Sequence, residues 1–142
     1  LFPGQGAQFP GMGRAWCEAF PSAAKIFEQA DRVLGFPLSD ACWNQGDAVH
    51  RTDIAQPGIL TTSVAIATVL VDRGLDLAAA SAVAGLSLGE YTALWAAGSL
   101  AFEDALRLVR LRGQAMQAAS EAIPSGMISL MGASLEQAQA LA

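Results

Sequence analysis

The chain has 142 residues, with 8 Lys+Arg against 13 Asp+Glu, so 8 − 13 gives a formal charge of −5. Hydrophobic residues make up 53% and charged residues 15%, which excludes a disordered acidic tail, since low hydrophobicity with high charge is what keeps a chain unfolded. The length suits one domain with a real core, and an acidic chain without a basic stripe argues against nucleic acid as a partner.

In chain order, Leu1-Phe2 reads as the end of a strand leading into the turn Pro3-Gly4-Gln5-Gly6. A helix is expected from about Gly13 to Ala19. A second runs from about Ser22, a candidate cap, to Leu34, with Gly35 at its stop. Residues 36–53 read as irregular. Gln56 to Arg73 reads as a long buried helix, with Pro57 in its first turn and Gly74 past its end. Ser81 to Ala84 is a short apolar run expected to be a buried strand, and a helix should follow Gly85-Leu-Ser-Leu-Gly89 and end near Ala97-Gly98. Phe102 to Ala122 is a further long helix, with Glu103 and Asp104 favourably placed in its first turn. After Pro124-Ser125-Gly126, Met127 to Met131 is expected as a strand, and Ser134 caps a last helix. The 29 alanines favour close helix packing, and alternating strands and helices argue for an α/β architecture with a mainly parallel sheet.

Cys17 and Cys42 do not make a metal spacing and are too few for a disulfide framework, so they are expected to be reduced, buried thiols of a cytoplasmic protein. The longest apolar run, Gly58 to Val71, is 14 residues with three Thr and a Ser, against about 20 for a membrane span. No membrane segment and no metal site is expected. The sequence starts without Met and stops at Leu141-Ala142 within a helical pattern, so both ends read as cut.

Gly85-Leu86-Ser87-Leu88-Gly89 matches G-x-S-x-G. In that motif a strand turns sharply into a helix with the serine at the tip, and flanking glycines avoid the Cβ clashes of a strained backbone. The helix N-terminus behind Ser87 would aim N–H groups at a developing oxyanion. Ser87 is thus a candidate nucleophile, the bland alternative being a tight turn of small residues. A serine needs a base, and the one histidine, His50, lies in a polar loop upstream and reads as exposed or capping.

In the helix 102–122, Arg107 lies four residues after Glu103, and Arg110 reads as solvated or surface-paired. Arg112 differs, because Leu108, Val109, Ala115 and Met116 are its neighbours at three and four residues. A guanidinium on an apolar stripe must find an anion or snorkel to solvent. A carboxylate would suit its planar fork. The opening glycines fail the G-x-G-x-x-G fingerprint, since position 9 is Phe9. Their turn, with exposed N–H groups, would supply a second oxyanion donor if the first strand lies beside the elbow strand.

Phe2-Pro-Gly-Gln-Gly-Ala-Gln8, Gly11-Met-Gly13, Thr52-Asp-Ile-Ala-Gln-Pro57, Gly85-Leu-Ser-Leu-Gly-Glu90 and Arg110-Leu-Arg-Gly113 follow one another along nearly the whole chain. In order and approximate spacing they resemble the malonyl-CoA:acyl-carrier-protein transacylases, whose domain also serves polyketide and fatty-acid synthases. The resemblance implies an α/β-hydrolase-like three-layer core with a parallel sheet, here over residues 1–124, and the start of an inserted ferredoxin-like subdomain over 125–142. It implies Ser87 as the nucleophile that takes malonyl from coenzyme A and passes it to the phosphopantetheine thiol of an acyl carrier protein. Backbone N–H groups of Gln5 and Leu88 would form the oxyanion hole, Arg112 would hold the malonyl carboxylate, and Gln56 and Glu90 would support. No bound cofactor is implied, malonyl-CoA being substrate. The chain departs from the family at Leu86, where His is usual. The family's catalytic histidine falls downstream of Ala142, so the chain is expected to be an N-terminal half that is inactive by itself. The competing expectations are a serine hydrolase of esterase or patatin type, against which the opening FPGQG and Arg112 speak, and an inactive fragment that only binds a partner.

Overall fold

The protein is described by a computed structural model, over residues 1–123 and 130–141. Those residues form the helices α1 (Arg14–Ala19), α2 (Pro21–Leu34), α3 (Leu38–Trp43), α4 (Thr52–Asp72), α5 (Gly89–Ala96), α6 (Phe102–Ala122) and α7 (Leu135–Leu141). Two 3₁₀ turns, Gly46–His50 and Leu77–Ala79, complete them.

The centre is α4. Ile54, Ala55, Ile59, Leu60, Val64, Ala65, Ala67 and Val69 are all buried, so the helix is apolar on every side, as a fully surrounded core helix must be. α2, α3, α5 and α6 pack around it. The larger core cluster joins Leu38, Ala41 and Cys42 of α3 to Ile59, Leu60 and Val64 of α4 and to Leu106 and Val109 of α6. A smaller cluster sets Ala23 and Phe27 of α2 on Ala65 and Val69 of α4. At 21 residues, with mean hydropathy 1.7 in its most apolar window, α4 has the length and composition of a membrane span, which the 14-residue run Gly58 to Val71 did not convey. Its most apolar window is 67% buried inside the fold, the disposition of a core helix.

Several elements differ from their sequence expectations. α4 begins at Thr52, not Gln56, so Pro57 sits in the helix interior. α2 starts with Pro21 at its first position, and its capping residue is Phe20, without a side-chain cap; Ser22 is therefore not the cap. Proline is preorganised for that place and has no N–H to leave unsatisfied. The segment 36–53 is not irregular, since α3 and a 3₁₀ turn lie inside it. Leu38, Ala41 and Cys42 make a buried i, i+3, i+4 face, and Asp31 of α2 accepts hydrogen bonds from Ser39 N (2.9 Å) and Ser39 Oγ (2.6 Å) at its start. A cap lent by a neighbouring helix leaves no local sequence signal.

The expected strands at Leu1-Phe2 and Ser81–Ala84 reduce to one isolated parallel bridge, Phe2 to Gly85, with Phe2 N donating to Ala84 O at 2.8 Å, and Ser81–Ala84 is not buried, only Val83 being half-covered. Two short segments paired only with each other cannot build an extended ladder, which needs further strands. The bridge still performs the positioning the sequence required of it, setting the N-terminal turn beside the elbow. Helix α6 has the expected bounds. Ser134 and Gln137 cap α7 reciprocally, Gln137 N donating to Ser134 Oγ (3.2 Å) and Ser134 N to Gln137 Oε1 (2.8 Å). Of the strand expected at Met127 to Met131, residues 127–129 lie outside the described residues, and Leu130 and Met131 form no strand. The boundary expected at 124/125 lies outside them too.

Candidate active site

Ser87 stands at the junction of the bridge and α5, at φ 53°, and is the one non-glycine among the described residues with positive φ. That left-handed backbone costs an L-residue about 1–2 kcal/mol and persists where the surroundings impose it, commonly at functional sites. What imposes it here is close packing. A Cβ on Gly89 would stand 2.4 Å from Phe2 O and 3.0 Å from Pro3 O, so only glycine lets α5 start against the N-terminal segment. The turn is closed by Gly89 N donating to Leu86 O at 2.9 Å. Ser87 is left exposed at the tip, and Leu88 behind it is fully buried. Among the described residues neither the Gln5 N–H nor the Leu88 N–H has an acceptor.

Four of the residues singled out in the sequence meet in one polar chain. Arg112 Nη2 donates to Ser87 Oγ at 2.8 Å, and Arg112 Nη1 donates to Gln56 Oε1 at 2.7 Å. Gln56 Nε2 in turn donates to Gln5 Oε1 (3.3 Å) and to Met116 Sδ (3.1 Å). Gln56 is fully buried, so the chain settles both ends of an amide that would cost about 1–3 kcal/mol to bury unpaired. Arg112, half-buried, finds neutral oxygens in place of the anion its apolar neighbours called for, and lies 6.0 Å over the Tyr91 ring. Its two Nη groups thus point at a serine and an amide oxygen, and an incoming carboxylate could take the serine's place on the guanidinium.

Glu90 is exposed, lining a 350 Å³ cleft with Val83 and Gly85; its backbone N donates to Ser87 O at 3.3 Å, while among the described residues its carboxylate makes no hydrogen bond to Ser87, Arg112, Gln5 or Gln56. His50 closes the 3₁₀ turn Gly46–His50 in an exposed position and makes no hydrogen bond to Ser87. Leu86 is 79% exposed, an apolar side chain directly before the candidate nucleophile. Both cysteines are free, but only Cys42 is buried; Cys17 is half-buried, contrary to expectation. Burial first, then the Glu18 charge, pushes the Cys17 thiol up to about 11. Burial first, then Asp31, pushes Cys42 up to about 12. Neither is a thiolate near neutral pH. Among the described residues no group of His, Cys, Asp or Glu could hold a metal ion.

Of the two sequence readings of Arg110, the paired one holds, with the pair half-buried between α4 and α6. Arg110 is not a solvated side chain: its Nη1 donates to Asp53 Oδ2 at 3.1 Å and to the Asp53 carbonyl oxygen, and the guanidinium lies 4.7 Å over the Phe36 ring. Asp53 is 9% exposed and also accepts from Arg51 Nε at 3.1 Å. Thr52 was overlooked as well. Its Oγ1 accepts from Gln5 Nε2 (3.2 Å), and its N donates to Gln117 Oε1 (2.9 Å). The available signal was Pro57, since a proline inside a helix strips the carbonyl four residues earlier of its donor, and that carbonyl is Asp53's.

The chain matches the acyl transferase domain family over residues 1–141 and belongs to it. It is 43% identical over 141 residues to the malonyl CoA-acyl carrier protein transacylase of Bacillus subtilis (strain 168), covering 96% of this chain and 42% of that protein. Among solved structures it is similar to an acyl-carrier-protein S-malonyltransferase from Bartonella henselae, with TM-score 0.80 and 44% identity over 83% of this chain and 38% of that one. It is also similar to a malonyl-transacylase solved in complex with its type II acyl carrier protein, with TM-score 0.78 and 42% identity over 88% of this chain and 39% of that one. The chain spans about two-fifths of the length of these relatives. The structural neighbours are malonyltransferases of α/β fold.

Proposed function

We propose that this chain carries the nucleophile and the carboxylate-binding side of an enzyme that transfers malonyl from coenzyme A to the thiol of an acyl carrier protein. The observation that supports it most is Arg112 reaching Ser87 Oγ and Gln56 Oε1 at once. Ser87 Oγ attacks the thioester carbonyl of malonyl-CoA, the C–S bond breaks, and coenzyme A leaves as the thiol with the proton that the serine gave up. The carboxylate of the malonyl group takes the place of Ser87 Oγ on the Arg112 guanidinium, while Gln56 Oε1 goes on holding Arg112 Nη1. The N–H groups of Gln5 and Leu88 take the oxyanion. The phosphopantetheine thiol then attacks the malonyl ester, and Ser87 recovers its proton. Gln56 orients Arg112, and Glu90 supports from the first turn of α5.

The base is the family's histidine, which the resemblance places downstream of these residues, so the 142 residues alone are without one. The setting is an α/β-hydrolase-like three-layer core over 1–124, with a ferredoxin-like insert starting at 125. The enzyme works in the cytoplasm, without a bound cofactor. A fatty-acyl esterase would gain nothing from a guanidinium 2.8 Å from its nucleophile, which favours a substrate with a free carboxylate. Replacing Arg112→Ala in the enzyme that carries this chain should shift acceptance from malonyl-CoA toward acetyl-CoA in a competition assay. Survival of malonyl selectivity would overturn the carboxylate role.

A further inference from the structure

Arg110 is two residues from Arg112 and hydrogen-bonds to none of Ser87, Gln56 or Gln5, yet it reaches across from α6 to the first turn of α4. Pro57 has no N–H, so the Asp53 carbonyl in the first turn of α4 lacks its i+4 helical donor. Arg110 Nη1 supplies a donor to that carbonyl and pairs with the Asp53 carboxylate at 3.1 Å. Phe36 covers the face of the guanidinium at 4.7 Å, which keeps it in place. Three residues further along α6, the backbone of Gly113 approaches the same turn so closely that a Cβ would stand 2.9 Å from Thr52 O and 3.0 Å from Asp53 Cα. Between Arg110 and Gly113 lies Arg112. One turn of α4 past Thr52-Asp53 lies its acceptor, Gln56.

We propose that Arg110 is a positioning residue: by holding both the carbonyl orphaned by Pro57 and the carboxylate of Asp53, it fixes the register of α6 on α4 and so keeps Arg112 on Gln56 and Ser87. This rests on the malonyl reading of Arg112. One nitrogen, Nη1, serves both the carbonyl and the carboxylate, so a lysine ammonium could reach them but would lose the planar stacking on Phe36 that holds the guanidinium. Misplacement of a binding group by about 1 Å costs on the order of a hundredfold, and Arg112 is the group that would move.

The test is a set of variants of the enzyme that carries this chain, assayed with malonyl-CoA and acetyl-CoA in parallel. Arg110→Met should lower kcat/KM for malonyl-CoA by roughly tenfold to a hundredfold while changing the acetyl-CoA value little, because acetyl has no carboxylate to place. Arg110→Lys should fall between. Pro57→Ala restores an N–H to the Asp53 carbonyl, so Arg110→Met should cost less in the Pro57→Ala background than in the native one. A merely structural Arg110 would lower both substrates together, and that result would overturn the proposal. So would a Pro57→Ala background that gives no relief. Arg112→Ala is the control. If it leaves the malonyl-to-acetyl ratio unchanged, the carboxylate reading itself has failed; if it lowers the ratio and Arg110→Met does not, only the positioning role has failed.

Discussion

The elbow at Ser87 and the first turn of α4 meet across the candidate site, and they are held in opposite ways. The elbow is fixed by atoms that are missing: Gly89 has no Cβ, so backbone packs on backbone and Ser87 is driven to φ 53°. The first turn of α4 is fixed by side chains that are present, with Thr52 bonded to Gln5 and Gln117, Asp53 to Arg110 and Arg51, and Gln56 to Arg112 and Gln5. A constraint made of backbone must be written within a few residues. A junction made of side chains joins positions 56 and 57 residues apart and is written nowhere locally. The two should therefore break differently: the elbow abruptly, by crowding, and the junction by leaving polar groups without partners.

The largest effect is expected at the elbow. Gly89→Ala puts a methyl 2.4 Å from Phe2 O, where the nearest atoms are backbone that cannot rotate away. Overpacking of this kind costs about 3 kcal/mol, which urea unfolding would read as a lowered midpoint. A change below about 0.5 kcal/mol, the scale of an ordinary surface substitution, would show that the N-terminal segment is not seated against α5.

A smaller, graded effect is expected at the junction. Gln56→Leu fills the same buried space but takes the acceptor from Arg112 and a partner from Gln5. Its cost should be about 1–3 kcal/mol, again in urea, together with weaker binding of malonyl-CoA measured by calorimetry. Unchanged affinity would mean that Arg112 keeps its place without Gln56.

This contrast also explains what the sequence disclosed. Ser87 was legible because the elbow pentapeptide has a mechanical reason for its glycines, and Arg112 because it lacks an acidic partner on its own helix, whereas Gln5 and Gln56 entered through the family resemblance alone. The bounds of α6 were legible from periodicity and from acids in the first turn. The start of α4 was not, because Pro57 suits a first turn and nothing local reports that Arg110 satisfies the carbonyl it strips. Helix α3 was hidden for the same reason, its start being bonded by Asp31 of another helix. The expected strands were over-read because a short apolar run implies burial, yet Ser81, Ala82 and Ala84 are exposed and a ladder needs neighbours, whereas Phe2 and Gly85 have only each other.

The central claim is that Ser87 accepts an acyl group with Arg112 beside it, and the intact mass of the whole enzyme tests it most directly. Incubation with malonyl-CoA should add one malonyl group, and Ser87→Ala should abolish the addition while leaving the protein folded. A malonyl adduct that persists in Ser87→Ala, or a native enzyme that never acquires one, would contradict the account.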